Sequence, residues 1–266
     1  EARQCGVMRD KVLIHVDGER ATVTLNRPER RNALGLALLT ELRDRLTEIA
    51  ATDATCVVLA AAGPVFSAGH DLGELRGRNR DEVGEMLRVC TDVMLTLHDM
   101  AQVVIARVHG LATAAGCQLV AACDLAVAGE SAGFALPGGK GGWFCTTPMV
   151  EVGRSMPRKI AVELALSGDT IDGRTAERWG LVNRCVSDDR LDAAVEELAA
   201  RTTRGAISAR MAGKPAMYRQ LDLPLRDAYG VAVEVMADAS QHPDAQEMMA
   251  AFVEKRPPRW ATPASP

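Results

Sequence analysis

The sequence predicts an α/β core followed by an all-helical extension. Three observations carry this. Short runs of β-branched and aliphatic residues alternate with segments of helical period through most of the chain. From Asp188 onward only the helical period remains. The 266 residues, 47% hydrophobic and 25% charged, suffice for one large core with an appendage.

In order, residues 12–16 and 22–25 read as strands around a turn at Asp17-Gly18. Asn26-Arg-Pro-Glu breaks that pattern. Residues 34–50 read as an amphipathic helix with Leu38, Leu39, Leu42, Leu46 and Ile49 on one face. A buried strand follows at 56–61. A helix at 80–100 places Val83, Leu87, Met94 and Leu97 at core spacing. Then come a strand at 103–108, a helix near 115–122 and a strand at 125–128. Residues 137–148, Pro-Gly-Gly-Lys-Gly-Gly-Trp-Phe-Cys-Thr-Thr-Pro, hold too many turn formers for regular structure and read as a site loop. Helical patterns at 159–166 and 175–179 precede a short strand at 181–186. The remainder reads as helices broken near Gly205, Pro215, Pro224 and Pro243. A boundary is placed near residue 200, giving a core of 1–200 and a helical region of 201–266.

Composition excludes several functions. The formal net charge is −4, with arginines interleaved among acids, so there is no global basic footprint for nucleic acid. Seven cysteines, an odd count, lie mostly in apolar runs (Cys56, Cys117, Cys123, Cys185), without a C-x-x-C; Cys90 and Cys145 are less clearly core. This usage predicts reduced thiols and a cytoplasmic address. No apolar run is long enough to span a bilayer, no charged-then-apolar leader opens the chain, and no metal-ligand cluster is evident.

Two segments carry the chemistry. Phe66-Ser-Ala-Gly-His-Asp-Leu and the stretch 108–124, Val-His-Gly-Leu-Ala-Thr-Ala-Ala-Gly-Cys-Gln-Leu-Val-Ala-Ala-Cys-Asp, each set a small-residue turn after an apolar run and before a helical pattern. Gly and Ala leave the peptide uncovered, so backbone N–H groups can approach a ligand. Two such turns meeting at one carbonyl oxygen would form an oxyanion hole. Asp71 and Asp124 read as turn or capping groups, and His109 as structural.

Together with Asn26-Arg-Pro, Asn32-Ala-Leu, Phe134-Ala-Leu-Pro, Leu166-Ser-Gly-Asp and Trp179-Gly-Leu-Val, these segments resemble, in order and spacing over residues 12–256, the enoyl-CoA hydratase/isomerase (crotonase) family. The resemblance implies a spiral of ββα units with a C-terminal α-helical trimerisation region, assembling as trimers or hexamers. It implies acyl-CoA thioester substrates and no cofactor beyond the CoA of the substrate. Carried over by position, the oxyanion donors are the backbone N–H groups of His70 and Ala115, the latter at a position usually held by Gly, where a methyl group disfavours positive φ. Ala68, Asp71 and Leu72 lie along the acyl-CoA path, Arg30 near the nucleotide, and Lys255 within reach of a CoA phosphate on a neighbouring subunit. Trp143, with Phe144, reads as a lid or acyl-pocket wall.

The departures concern proton transfer. The two hydratase glutamates map to Gln118 and Gly138. Hydration needs a base to activate water and an acid to protonate the neighbouring carbon; a glutamine amide does neither, and each lost group costs roughly 10²–10⁴ in rate. The substitutes on offer are His70, Cys145, Thr146, Thr147 and Glu151. The expected function is therefore an acyl-CoA enzyme that stabilises a thioester enolate without ordinary hydration. The alternatives are decarboxylation of a malonyl-type thioester, which generates the enolate without a protein base, non-catalytic CoA-thioester binding, and a purely structural oligomer. Restoring both glutamates is expected to create hydratase activity if the scaffold is intact.

Overall fold

Strands β1 (Val12–Asp17) and β2 (Arg20–Leu25) pair antiparallel, with Val12 opposite Leu25 and Asp17 opposite Arg20. The structure, a computed structural model, describes residues 10–261; the leader expectation and Cys5 lie outside the described residues. Helix α1 (Leu36–Ala50) buries the five residues expected from its period. It starts at Leu36 rather than Leu34 because Arg31 and Asn32 take left-handed φ of 52° and 50° and Leu34 is drawn into a parallel bridge with His70.

The chain then repeats one step: a strand for a large sheet, a very short strand for a small one, then helix. The units are β3 (Cys56–Ala61) with β4 (Val65–Ser67), α2 (Leu72–Leu75) and α3 (Arg80–Asp99); β5 (Val103–Val108) with β6 (Leu111–Thr113) and α4 (Ala115–Ala122); and β7 (Leu125–Gly129) with β8 (Gly133–Ala135), α5 (Gly138–Gly141), α6 (Pro148–Ser155) and α7 (Arg158–Ser167). After β9 (Ile171–Asp172), α8 (Gly173–Trp179) and β10 (Arg184–Val186), helices α9 (Leu191–Thr202), α10 (Ile207–Leu221), α11 (Leu225–Ala239) and α12 (Pro243–Glu254) complete the described chain. The large sheet runs β1-β2-β3-β5-β7-β10 and the small one β4-β6-β8-β9. Successive units pair in parallel in both sheets.

Strands β3 and β5 are buried on both faces. Val57, Leu59, Val104 and Ala106 face the main core with α1, α3 and α4, while Cys56, Val58, Val103 and Ile105 pack against Leu191, Val195 and Leu198 of α9. This explains their unbroken apolar runs. Helix α3 opens on a capping box at Asn79 and Glu82. Its core face is Met86, Cys90, Val93, Met94 and Leu97; Val83 and Leu87 are only partly buried. Cys90 and Cys145 are both buried, contrary to the sequence reading.

Other differences have identifiable causes. The small-sheet strands have two or three residues, too few to show alternation. The region 137–148 contains the one-turn α5 and runs into α6, which starts on Pro148, a favoured first helical position. The expected break at Pro215 does not occur: Pro215 lies inside α10. Tertiary anchors hold that helix. Lys214 Nζ lies 2.8 Å from both Asp124 Oδ2 and the Gln102 carbonyl, and the Tyr218 hydroxyl donates to Asp124 Oδ1 at 2.8 Å. Asp124, read as a cap, is thus the partly buried group on which the helical region docks. No helix among the described residues is long and apolar enough to cross a membrane.

Candidate active site

The first turn is held by Asn32, which is fully buried. Its Oδ1 accepts from the Arg27 N–H at 2.9 Å, and its Nδ2 donates to the carbonyls of Ala62 and Val65 at 2.9 and 2.8 Å. Its own carbonyl accepts from Ser67 Oγ at 2.8 Å. The segment that follows pairs with the turn after β4: Leu34 N donates to Gly69 O, and Asp71 N to Leu34 O. Because the bridge uses the groups of Gly69 and Asp71, the N–H of His70 between them points to the opposite side. Gly69 has φ 82°, and a methyl group there would lie 2.9 Å from the Ala114 Cβ and 3.2 Å from the Ala115 nitrogen. The two turns therefore do converge.

The second turn ends β6 and opens α4. Ala115 is its first helical residue, and the first N–H groups of a helix have no partner within it. The backbone strain expected at Ala115 falls instead on Ala114, with φ 51° and ψ −120°. A non-glycine residue in such a region costs about 1–3 kcal/mol. The turn is held there by Ala114 N donating to Ala135 O at 2.9 Å and Gln118 N to Ala114 O at 3.0 Å.

Both turns line a cavity of about 290 Å³. Ala68, His70, Leu72, Ala115, Gly138 and Trp143 of the expected site residues border it, joined by Leu87, Phe144, Cys145, Thr146 and Thr147. No Asp, Glu, Lys or Arg is among its lining residues. Trp143 and Phe144 are 49% and 43% exposed, forming a half-open wall, and the Trp143 ring stands 6.4 Å from that of His70.

The remaining expected residues lie elsewhere. Asp71 is buried and ion-paired to Arg30 at 3.3 Å and Arg27 at 3.6 Å, and it caps α2 through Gly73 N. Its carboxylate is thereby committed to holding the turn. Arg30 is half exposed in that pair. Lys255 ends α12 with left-handed φ of 55° and does not border this cavity. Gln118 is 4% exposed and is not among the cavity's lining residues, with Oε1 unpartnered. Glu151 turns away to His98, 3.4 Å distant. His109 reaches the Gly63 carbonyl at 2.6 Å, a structural contact.

Two titratable side chains remain at the cavity. Burial raises the Cys145 thiol, which therefore stays protonated and is a poor nucleophile. Burial lowers the His70 imidazole against a weaker opposing effect of its bond to the Leu34 carbonyl, so the ring is neutral at pH 7. Sequence reasoning gave Asn32 and Ala114 no role; a buried Asn beside a Pro-containing break was the available signal for the first.

The packing around Gly138 bears on whether a side chain fits there. A Cβ there would collide with the Trp143 carbonyl oxygen and lie 2.7 Å from the Cys145 nitrogen. These are backbone atoms, so the loop would have to move. Gly138→Ala is expected to cost about 1–3 kcal/mol, measured by denaturant unfolding. The Gln118→Glu, Gly138→Glu double variant is expected to gain no enoyl-CoA hydration, contrary to the expectation from sequence. Unchanged stability in the alanine variant would contradict this packing argument.

Residues 18–263 match the sequence model of the family described as enoyl-CoA hydratase/isomerase. The mouse protein named enoyl-CoA hydratase domain-containing protein 3, mitochondrial, is 42% identical over 247 residues, covering 92% of this chain and 82% of that one. A crystal structure of enoyl-CoA hydratase from Mycobacterium smegmatis superposes with a TM-score of 0.91 at 42% identity, covering 96% of this chain and all (100%) of that one. The human enoyl-CoA hydratase domain-containing protein 3 superposes at 0.89 with 36% identity, covering 94% and 100%. The cytoplasmic address expected from cysteine usage is overturned, because the mouse, rat and human relatives are named mitochondrial. The six described cysteines are indeed free and buried, but reduced thiols report redox state rather than address. The fold of ββα units, the paired turns and this match agree: the chain belongs to the enoyl-CoA hydratase/isomerase (crotonase) family.

Proposed function

We propose that the protein is an enzyme acting on acyl-CoA thioesters, in which the thioester carbonyl is received by the N–H groups of His70 and Ala115 and negative charge developing on its oxygen is stabilised there. The observation that carries this reading is the convergence of the two turns on one largely apolar cavity. Each such donor is worth about 3–4 kcal/mol in a preorganised site. Hydration is not the favoured reaction, since no carboxylate borders the cavity. The same absence favours a second reading, a CoA-thioester binder without turnover.

The cavity also bears on the acyl group. About 290 Å³ holds roughly ten water-sized groups at about 30 Å³ each. With no Lys or Arg among its lining residues, nothing offsets the desolvation of an acyl carboxylate. Neutral acyl chains of short to medium length fit, and the malonyl-type alternative gains no support.

We further propose that copies assemble through the helical region, as trimers or hexamers. Helices α10 and α11 bury no residue in the single chain. Leu225, Met236, Phe252 and Val253 are each at least 75% exposed, more apolar surface than a monomer ordinarily leaves open. Lys255, at the end of α12, is then available to a neighbour's CoA phosphates. The core 1–200 and helical region 201–266 are proposed as the corresponding division of labour.

Calorimetry is expected to show a neutral acyl-CoA binding at least about tenfold more tightly than a malonyl-type thioester of equal length, a gap of ~1.4 kcal/mol. No binding of any CoA thioester would overturn the proposal. Sedimentation equilibrium is expected to return a trimer or hexamer, and a monomer at micromolar concentration would contradict the assembly.

A further inference from the structure

We propose that His98, which is not among the cavity's lining residues, is a positioning residue for the acyl chain: it joins Glu151 of α6 to Tyr218 of α10 and so holds in place the wall against which that chain lies. This rests on the thioester-binding reading above. His98 lies in the last turn of α3, with Nε2 3.4 Å from Glu151 Oε2. Its ring stacks on that of Tyr218, the centroids 4.0 Å apart and the planes 5° from parallel. The Tyr218 hydroxyl donates to Asp124, between α4 and β7, whose carboxylate also accepts from the Val104 N–H at 2.7 Å. One imidazole therefore links α3, α6 and α10, and through Tyr218 the end of α4. A polar network spanning several elements fixes their relative positions more firmly than its separate contacts would.

Each core helix in this joint carries part of the cavity. Leu87 of α3, Ala115 of α4 and Pro148 of α6 border it, and Cys145, Thr146 and Thr147 lead into Pro148. With the thioester carbonyl at the two turns, Leu87 and residues 145–148 are left to enclose the acyl chain. Glu151 follows Pro148 on the same helix, one turn along. It is buried, and among the described residues His98 is its one ion-pair partner. Truncating His98 leaves that carboxylate buried without its partner, a costly state. Turning Glu151 toward solvent relieves the cost and draws the first turn of α6, and the wall, with it. The carbonyl site is spared, because its two turns are held separately, through Asn32 and the Ala135 carbonyl. The role of His98 is therefore felt along the acyl chain and not at the thioester.

The test is calorimetry on the whole protein with butanoyl-CoA and octanoyl-CoA. His98→Ala is expected to weaken octanoyl-CoA binding about two- to thirtyfold, the range seen when a coupling residue outside a site is removed. Butanoyl-CoA binding should change less, so the ratio of the two affinities falls. Glu151→Gln in the His98→Ala background removes the unpaired charge and should restore most of the lost octanoyl-CoA affinity; a void left by the imidazole would not be filled that way. Equal losses for both thioesters, or no loss, would overturn the proposal, as would a double variant no better than His98→Ala. A wild-type protein that binds octanoyl-CoA no more tightly than butanoyl-CoA also overturns it and leaves the binding reading standing. Absence of binding overturns both. Should His98→Ala misfold, His98→Phe, which keeps a ring on Tyr218 and loses the contact with Glu151, decides in its place with the same expectation.

Discussion

The buried amide of Asn32 is the point on which the site's geometry depends. It sits in left-handed backbone, where Asn is among the few tolerated non-glycine residues. Its amide ties the segment after β2 to Ala62, just past β3, and to Val65, the first residue of β4. An aliphatic side chain would leave the carbonyls of Ala62 and Val65 without this donor, and an unsatisfied buried group costs about 1–3 kcal/mol. More consequential is direction. With Asn32 in place, residues 31–34 lie along 67–71 and Gly69 comes up against Ala114 and Ala115; without it, that turn loses a restraint on its orientation toward α4. The second turn has its own cost, the strained Ala114, and its own restraint in the Ala135 carbonyl. A preorganised donor pair is valuable because its orientation is settled before the charge develops.

Much of this was legible in the residues. The heptad-like leucines of α1 and the apolar runs of β3 and β5 gave the elements and nearly their ends, since long periodic segments state their burial directly. The two glycine- and alanine-rich turns pointed to segments that line one cavity. The small sheet was not legible, because strands such as Ile171–Asp172 are fixed by neighbours rather than by a pattern of their own. Pro215 misled because its local cost is outweighed by Lys214 and Tyr218 docking on Asp124, a contact between residues far apart in sequence. The inability of Gly138 to accept a side chain was invisible, since it arises from backbone folding back over it. Strain was assigned one residue late for a similar reason: which alanine of the pair turns the corner depends on where α4 begins.

These features are what the proposal against ordinary hydration rests on. Gln118 is isosteric with a glutamate but is not among the lining residues, and Gly138 is packed against the backbone of Trp143 and Cys145. At Gly138 the loop that walls the cavity occupies the space a side chain would need. The proposed backbone chemistry tolerates side-chain change because N–H groups belong to every residue but proline. The helical region contributes indirectly. Its anchor at Asp124 lies just beyond α4, so docking of α10 steadies the end of the helix whose beginning supplies Ala115.

The central claim is that two N–H groups polarise a thioester carbonyl. The most direct measurement is the infrared difference spectrum of an acyl-CoA carrying a ¹³C-labelled thioester carbonyl, recorded free and bound. Hydrogen bonds from His70 and Ala115 should lower the carbonyl stretching frequency on binding. A bound thioester whose carbonyl absorbs at its frequency in water, or above it, would contradict the oxyanion hole.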